Sequence, residues 1–454
     1  MVQNKEKIYS YIIGFGILLI FLDAYQVNGI PINWIGLSLL IVPSILEFKK
    51  LYNEKILKYI LFSILFLSIP DILNIFDSGY IDLDYQYLIL RYFNLISFAL
   101  TLIFSYKFFQ NSSQALFLNI LEKFIIIFSL VTIYIFFAQI FDLYEPSRNR
   151  QNTDLFGDSK QSTFWLSQPH RAMGTFREPV FLISFFYPIV LLYLYLKKDV
   201  KTLVLFIAGV ALGLTRSDYA RFFSILLLLF IVFNFLMNKD FLKKMTLLVI
   251  TILFFSNYGI LECNVNPSSN ECKNYEEDVE KINNSGKLKV KSNSSNPITD
   301  LDDDRLKVVS YFLSNISQLR AVGLSNVNLN YKNYLEEEIN NEMYLTNRIL
   351  PSFLLKRYST QDFGTGPYSI TKYTPNVQNL FIFYTVGFGF LFPALIFITL
   401  INLIYKYGFT RNIIFFFSFI LMMFISPIEE FNSFYGLILG FSFKLLLSEN
   451  NESF

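Results

Sequence analysis

Long apolar segments alternate with short polar connections along most of the chain. Twelve of these segments approach or reach the roughly 20 residues that a helix needs to cross a membrane. We expect twelve membrane helices, each beginning close to one of the following residues: Ile8, Asn33, Ile56, Tyr87, Phe124, Pro179, Lys201, Arg221, Met245, Asn379, Asn412 and Ser433. The pattern predicts an all-α polytopic membrane protein, because a helix satisfies its own backbone hydrogen bonds in lipid.

Basic residues in alternate connections predict the orientation of these helices. The other set of connections contains Asp77, Asp82, Asp84 and both long loops. Because cytoplasmic connections carry an excess of lysine and arginine, we expect both termini in the cytoplasm and the long loops outside. The basic connections contain Lys49, Lys50, Lys55, Lys107, Lys197, Lys198, Lys201, Lys239, Lys243, Lys244, Lys406 and Arg411.

The composition is typical of a membrane protein and argues against one class of partner. Hydrophobic residues make up 53% of the chain and charged residues only 16%, whereas about a quarter of the residues in soluble domains are charged. The net charge is +2 and no basic face accumulates. Nucleic acid is therefore not an expected partner.

The predicted helices and loops divide the chain into five regions. These are N-terminal membrane helices (1–143), a first outer loop (144–178), central membrane helices (179–260), a large outer loop (261–378) and C-terminal membrane helices (379–454). Within the large loop, the apolar spacing from Asp302 to Leu324 predicts a short helix that lies as a lid over the outer mouth of the bundle. The only cysteines, Cys263 and Cys272, fall in this loop, where a disulfide is favoured over two reduced thiols.

The first candidate site is the segment HRAMGTFREP, His170 to Pro179. Pro179 suits the first turn of a helix, so Glu178 would lie at the positive end of the helix dipole. Arg171 and Arg177 suit a pyrophosphate, because a guanidinium binds two oxygens at once and keeps its charge. The alternative is an N-terminal charge with two arginines that bind lipid headgroups, and His170 alone is more often a satisfied interfacial side chain than a catalytic one.

The second candidate cluster is LTRSDYARFF, in a tight outer turn between two helices. Arg216, Asp218 and Arg221 either line the same outer cavity as the first cluster or pair with each other and with lipid headgroups. Charges this close to the hydrocarbon are costly and often functional. Arg91 lies about one turn inside the fourth helix, where it faces the same cavity or extends outward to the interface.

Acidic residues near two other predicted helix starts complete the candidate set. The triplet Asp302–Asp304 before Arg305 has the oxygen ligands of a Mg²⁺ or Ca²⁺ site, but such a run is usually solvated, and no metal is expected. Glu430, in the last outer turn, is either a charge at a helix N-terminus or a carboxylate able to deprotonate a sugar hydroxyl.

Four segments resemble, in this order, motifs of the Wzy-type O-antigen polymerases and O-antigen ligases. They are RAMGTFREP, LTRSDYARFF, the stretch Asp304 to Asn328, and QNLFIFYTVGFGFLFP from Gln378 to Pro393. The histidine that ligases carry at the last motif is Gln378 here, followed by Asn379, and this departure favours a polymerase. Two further departures are Asp218, where the family has an arginine, and Ser325, where it has a second glycine.

The resemblance implies a membrane glycosyltransferase of the GT-C class in the bacterial cytoplasmic membrane. Donor and acceptor would be glycans on undecaprenyl pyrophosphate, with no nucleotide or other cofactor. Arg171 and Arg305 match family arginines that hold the pyrophosphate. The candidate general bases are Glu178, Asp218 and Glu430.

Three other functions remain alternatives. An O-antigen or glycan ligase would use a different acceptor, and a sensor or scaffold would also account for a large outer loop. A flippase would need charges along a central path on both sides of the membrane, whereas the candidate charges here crowd at the outer face. The candidate protein partners are a chain-length regulator and a flippase in the same membrane.

Overall fold

Over the residues that it describes, the computed structural model is mostly helical, which confirms the helical character that the sequence predicts. It describes residues 2–28, 30–69, 71–72, 85–111, 114–140, 171–176, 178–197, 199–233, 239–265, 380–381, 384, 391–407, 411–425 and 431–448. The helices are α1 (Val2–Ile20), α2 (Ile32–Leu46), α3 (Phe48–Tyr52), α4 (Lys55–Leu67), α5 (Tyr85–Asn111), α6 (Gln114–Ile140), α7 (Pro179–Leu196), α8 (Thr202–Leu214), α9 (Asp218–Phe233), α10 (Lys239–Val265), α11 (Leu391–Tyr407), α12 (Arg411–Ile425) and α13 (Ser433–Ser448).

A short antiparallel hairpin, which the apolar pattern did not predict, connects α1 to α2. Its strands are β1 (Gln26–Val27) and β2 (Ile30–Pro31), paired Gln26 to Pro31 and Val27 to Ile30. Each strand has only two residues, so the pair contributes a turn and not a sheet.

Three described helices contain segments that are long and apolar enough to cross a membrane: Ile89–Phe108, Ala115–Ala138 and Pro179–Leu196. With the short α3 set aside, a described helix lies at or near each of the twelve predicted positions. Helix α6 differs most from the prediction: it begins at Gln114, well before Phe124, because the helix continues through polar residues ahead of the apolar run. Leu380, Phe381 and Tyr384 are helical, next to the predicted start near Asn379, and α11 follows from Leu391.

The chain divides into two compact units. Unit 1 comprises residues 1–62, 92–267 and 403–454, and unit 2 comprises residues 63–91 and 268–402. Apart from Arg91, every candidate site residue within the described ranges belongs to unit 1.

Helix α7 forms the centre of unit 1. Nearly all of its residues are buried, as expected for a helix that is apolar on every side. Five phenylalanines near its N-terminal half pack mainly edge to face, with centroids of contacting rings 4.6 to 6.0 Å apart. This cluster connects the end of α1, helix α6, the loop before α7 and α7 itself: Phe21, Phe124, Phe128, Phe176 and Phe186.

Small residues let neighbouring helices approach closely. A Cβ atom at Gly36 of α2 would lie 2.6 Å from the main-chain oxygen of Gly16 in α1. At Gly440 of α13, a Cβ atom would overlap Ser105 of α5. Such contacts give the close backbone packing that helices in lipid use for association.

Ion pairs join some of the basic connections of unit 1 to neighbouring segments. Glu122, near the start of α6, accepts hydrogen bonds from Lys197 and from Tyr193 and pairs with Lys201 at 2.8 Å. Lys107 pairs with Glu54 in the same way. These contacts bring together basic connections that are far apart in the sequence.

Candidate functional site

The loop from Arg171 to Phe176 is buried against α6. Ala172, Met173 and Phe176 have no exposed surface. Gly174 has a φ angle of 55°, and a Cβ atom there would lie 2.7 Å from the Oγ1 atom of Thr132. A side chain at this position would therefore be strained in its backbone and would have no space.

One contact joins the two arginine clusters. The Nε atom of Arg171 donates a hydrogen bond to the main-chain oxygen of Thr215 at 3.1 Å. Beside it, the amide of Ala172 donates to the main-chain oxygen of Leu214 at 2.9 Å. The segments RAMGTFREP and LTRSDYARFF, which the sequence analysis treats as separate motifs, thus lie side by side.

Arg216 occupies a strained position between α8 and α9. Its φ angle is 47°, in the left-handed region that favours glycine and asparagine. Its amide donates to the main-chain oxygen of Gly213 at 2.9 Å, and its guanidinium lies 5.7 Å from the ring centroid of Phe136. A non-glycine residue that keeps a strained backbone at a candidate site indicates that the protein needs its side chain there.

The first turn of α9 carries the remaining residues of the second cluster. Ser217 caps the helix, since its Oγ atom accepts a hydrogen bond from the amide of Tyr219 at 3.3 Å. The Nη2 atom of Arg221 donates to the main-chain oxygen of Ser256 in α10 at 2.7 Å. Helix α9 begins at Asp218, slightly before the predicted start near Arg221, so Asp218 lies in the helix and not in the turn that the sequence predicted. The side chain of Asp218 is outside the described set.

Glu178 lies at the N-terminus of α7, as predicted from Pro179. It is exposed, and its extended backbone leads directly into the helix. Surrounding protein atoms raise the pKa of its carboxyl group, although the residue keeps much of its surface exposed. Arg171 opposes that rise in pKa and Asp23 adds to it.

Asp23 and Asn33 are site residues that no sequence motif indicated. Asp23 follows α1 and is buried, and its Oδ1 atom accepts a hydrogen bond from the Nδ2 atom of Asn33 at 2.5 Å. The sequence feature that could have identified Asp23 is an isolated carboxylate next to the predicted outer end of a membrane helix, where charges are costly.

The other candidates are placed as follows. Arg91 is fully buried in α5, in the part of that helix that belongs to unit 2.

Helix α10 continues to Val265, so Cys263 lies in its last turn and not in the large loop. Outside the described residues lie the lid segment 302–324 and the following candidates: His170, Arg177, Cys272, Arg305, Gln378, Asn379 and Glu430.

Comparison of the chain with protein-family models, curated proteins and solved structures found no match.

The arrangement suits anion binding next to a proton acceptor. Arg171, Arg216 and Arg221 are half-buried around the turn between α8 and α9. Fixed guanidinium groups at a partly dehydrated site stabilise developing negative charge strongly. The carboxyl group of Glu178 lies near enough to Arg171 for an electrostatic interaction. Together these groups could hold a phosphate and accept a proton on the same surface.

Proposed function

We propose that the chain is a membrane glycosyltransferase that polymerises oligosaccharide repeat units linked to undecaprenyl pyrophosphate. The observation that carries this proposal is the hydrogen bond between Arg171 and Thr215, which joins the two arginine-bearing segments, with Arg171 close enough to Glu178 to lower its pKa. The order of the four sequence motifs supports the same family. The product is a surface polysaccharide such as O-antigen or capsule.

The proposed topology has twelve membrane helices of the GT-C type in the bacterial cytoplasmic membrane, with both termini in the cytoplasm. Along α6, Glu122 and Phe136 are separated by about 20 Å, at a rise of 1.5 Å per residue. The lysine pairs at Glu122 and the arginines near Phe136 therefore lie toward opposite ends of this helix. The lysine end suits the cytoplasm and the arginine end suits the outer face.

Cysteine labelling tests this topology. A cysteine in place of Asp240, whose side chain is exposed, should not react with a membrane-impermeant thiol reagent in intact cells. Cysteines in place of Ser159 and Ser295 should react. Outside labelling at position 240 would reverse the orientation and move the arginine cluster to the cytoplasmic face.

In the proposed reaction, an acceptor hydroxyl attacks the anomeric carbon of the donor glycan while the lipid pyrophosphate leaves. The arginines stabilise the growing negative charge of the pyrophosphate. The family resemblance assigns Arg305 to the same pyrophosphate, and a carboxylate receives the proton of the attacking hydroxyl. The energy comes from the sugar–pyrophosphate bond, so the reaction needs no nucleotide.

Deletion of the gene and mass analysis of the lipid-linked glycans tests the assignment. A polymerase predicts that single lipid-linked repeats accumulate. Full-length polymer that remains on the lipid would indicate a ligase instead. Repeats confined to the inner leaflet would indicate a flippase. The control is the variant Lys50→Gln, which removes an exposed charge at the lysine end. It should restore normal polymer when it is expressed in the deletion strain.

A further inference from the structure

Two hydrogen bonds tie the end of α1 to the loop that leads to Glu178. The hydroxyl of Thr175 donates to the main-chain oxygen of Phe21, and the amide of Ala24 donates to the main-chain oxygen of Thr175 at 3.0 Å. Asp23 lies between the two tied residues of this turn. A carboxylate that is 155 residues away in the chain is thereby held beside the start of α7.

The two carboxylates differ in access. Asp23 is only 8% exposed and its Oδ1 atom is engaged by Asn33, whereas Glu178 is exposed. Of the two, Glu178 alone can contact a substrate. Asp23 is placed to act on it through space.

We infer that Asp23 is a positioning residue that selects Glu178 as the proton acceptor of the glycosyl transfer. This inference rests on the proposed function and ranks one of its three candidate bases. Asn33 fixes the direction of the Asp23 carboxylate, and the Thr175 bonds fix its distance from the segment that ends at Glu178.

Among the described residues, charges act on Glu178 from two directions. Arg171, in the preceding loop, lowers the pKa of Glu178, and Asp23, at the end of α1, raises it. Arg216 contacts Phe136 and Arg221 contacts Ser256. A carboxylate with a raised pKa is a stronger base, and a base whose pKa approaches the working pH is the more effective catalyst.

The step balances as a simple substitution. The oxygen of the acceptor hydroxyl forms a bond to the anomeric carbon. The bond from that carbon to the phosphate oxygen breaks, and its electron pair leaves with the lipid pyrophosphate. The hydroxyl proton passes to the carboxylate of Glu178 and then to water.

The test is the pH dependence of kcat/KM for the purified full chain in lipid nanodiscs, with a lipid-linked repeat unit as substrate. Loss of activity toward acid reports protonation of the base. In Asp23→Asn, Glu178 loses a negative neighbour, so the acid limb of the profile, where activity falls toward low pH, should move to lower pH. The rate on the plateau should fall several-fold, because the base is weaker.

Two variants serve as controls. Asp23→Glu keeps the charge and should leave the acid limb near its wild-type position. Asp240→Asn removes an exposed carboxylate in the first turn of α10 and should change neither the limb nor the rate. Rescue by the glutamate variant separates an electrostatic role from a purely structural one.

The outcomes separate this inference from the proposed function. If the wild type makes polymer and the acid limb does not move in Asp23→Asn, the inference is wrong and the proposed function stands. Full activity in Glu178→Gln leads to the same conclusion. If Asp23→Asn does not insert, Asn33→Ala takes its place, because Asn33 holds the Asp23 carboxylate. A moved acid limb in Asn33→Ala supports the inference, and an unmoved limb contradicts it. A wild type that makes no polymer overturns both proposals.

Discussion

Arg171 and Thr215 lie 44 residues apart in the chain, yet the Nε atom of the first donates to the main-chain oxygen of the second at 3.1 Å. The bond uses one edge of the guanidinium and satisfies a carbonyl at the end of α8. A loop that is otherwise buried and apolar thus presents a charge at a fixed place. The predictions below follow from this placement.

Replacing Arg216 should separate stability from function. Arg216→Gly relieves the positive φ angle and removes the guanidinium, whereas Arg216→Ala removes the guanidinium and keeps the strain. The glycine variant should therefore be more stable than the alanine variant by about 1 kcal/mol. Both should lose most polymer. Thermal unfolding in detergent and polymer assays measure the two effects, and an alanine variant as stable as the glycine variant would contradict the strain.

The packing of the loop against α6 can be tested at Gly174. Gly174→Ala places a Cβ atom 2.7 Å from Thr132 Oγ1 at a positive φ angle, so it should destabilise the protein by about 1–3 kcal/mol. Adding Thr132→Ala removes the nearest clash but not the backbone strain. The double variant should recover part of the lost unfolding temperature. Full recovery would show that the backbone is unstrained there.

Glu178→Gln should stabilise the protein in a pH-dependent way. The raised pKa means that the folded protein holds this proton more tightly than the unfolded chain does. Wild-type stability therefore falls as pH rises from the unfolded pKa of glutamate, about 4.3, through the folded value, and then levels off. Glutamine does not ionise, so the variant does not lose this stability as the pH rises. The gain in unfolding temperature should grow with pH and then reach a plateau, and a gain that does not change with pH would refute the electrostatic cause.

Glu122→Gln tests the opposite end of α6. It leaves Lys197 and Lys201 without the carboxylate that pairs with both, and the buried position should make this cost up to about 3 kcal/mol. The initial rate per folded molecule should stay within about twofold of the wild type. A tenfold lower rate in the folded fraction would mean that this end of the helix takes part in the reaction.

The local features of the fold were predictable from the sequence. Apolar length indicated the helical segments, and Pro179 indicated the start of α7 and the place of Glu178. Helix ends were harder, because Gln114 and Asp218 begin helices with polar residues that the apolar pattern assigns to connections. The same effect carries α10 past Cys263.

The site required contacts that no local pattern contains. Arg171 and Arg216 were singled out by their charge, but their common location depends on the bond to Thr215. Asp23 was missed, since its partner Asn33 belongs to a different segment, and Thr175 bonds only to the main chain on either side of it. The hairpin that turns Asn33 toward Asp23 consists of two residues per strand, too few to leave a periodic signal.

Polymerisation by the purified protein in a chelator-containing buffer, with Arg171→Lys beside the wild type, probes the role of this guanidinium most directly. The wild type should convert lipid-linked repeats into a ladder of longer glycans. Lysine keeps the charge but loses the forked contact, so the variant should insert, unfold within a few degrees of the wild type, and polymerise about 10- to 100-fold more slowly. An unchanged rate in Arg171→Lys and in Arg171→Ala, or no ladder from the wild type, would contradict the proposed function of the arginine cluster.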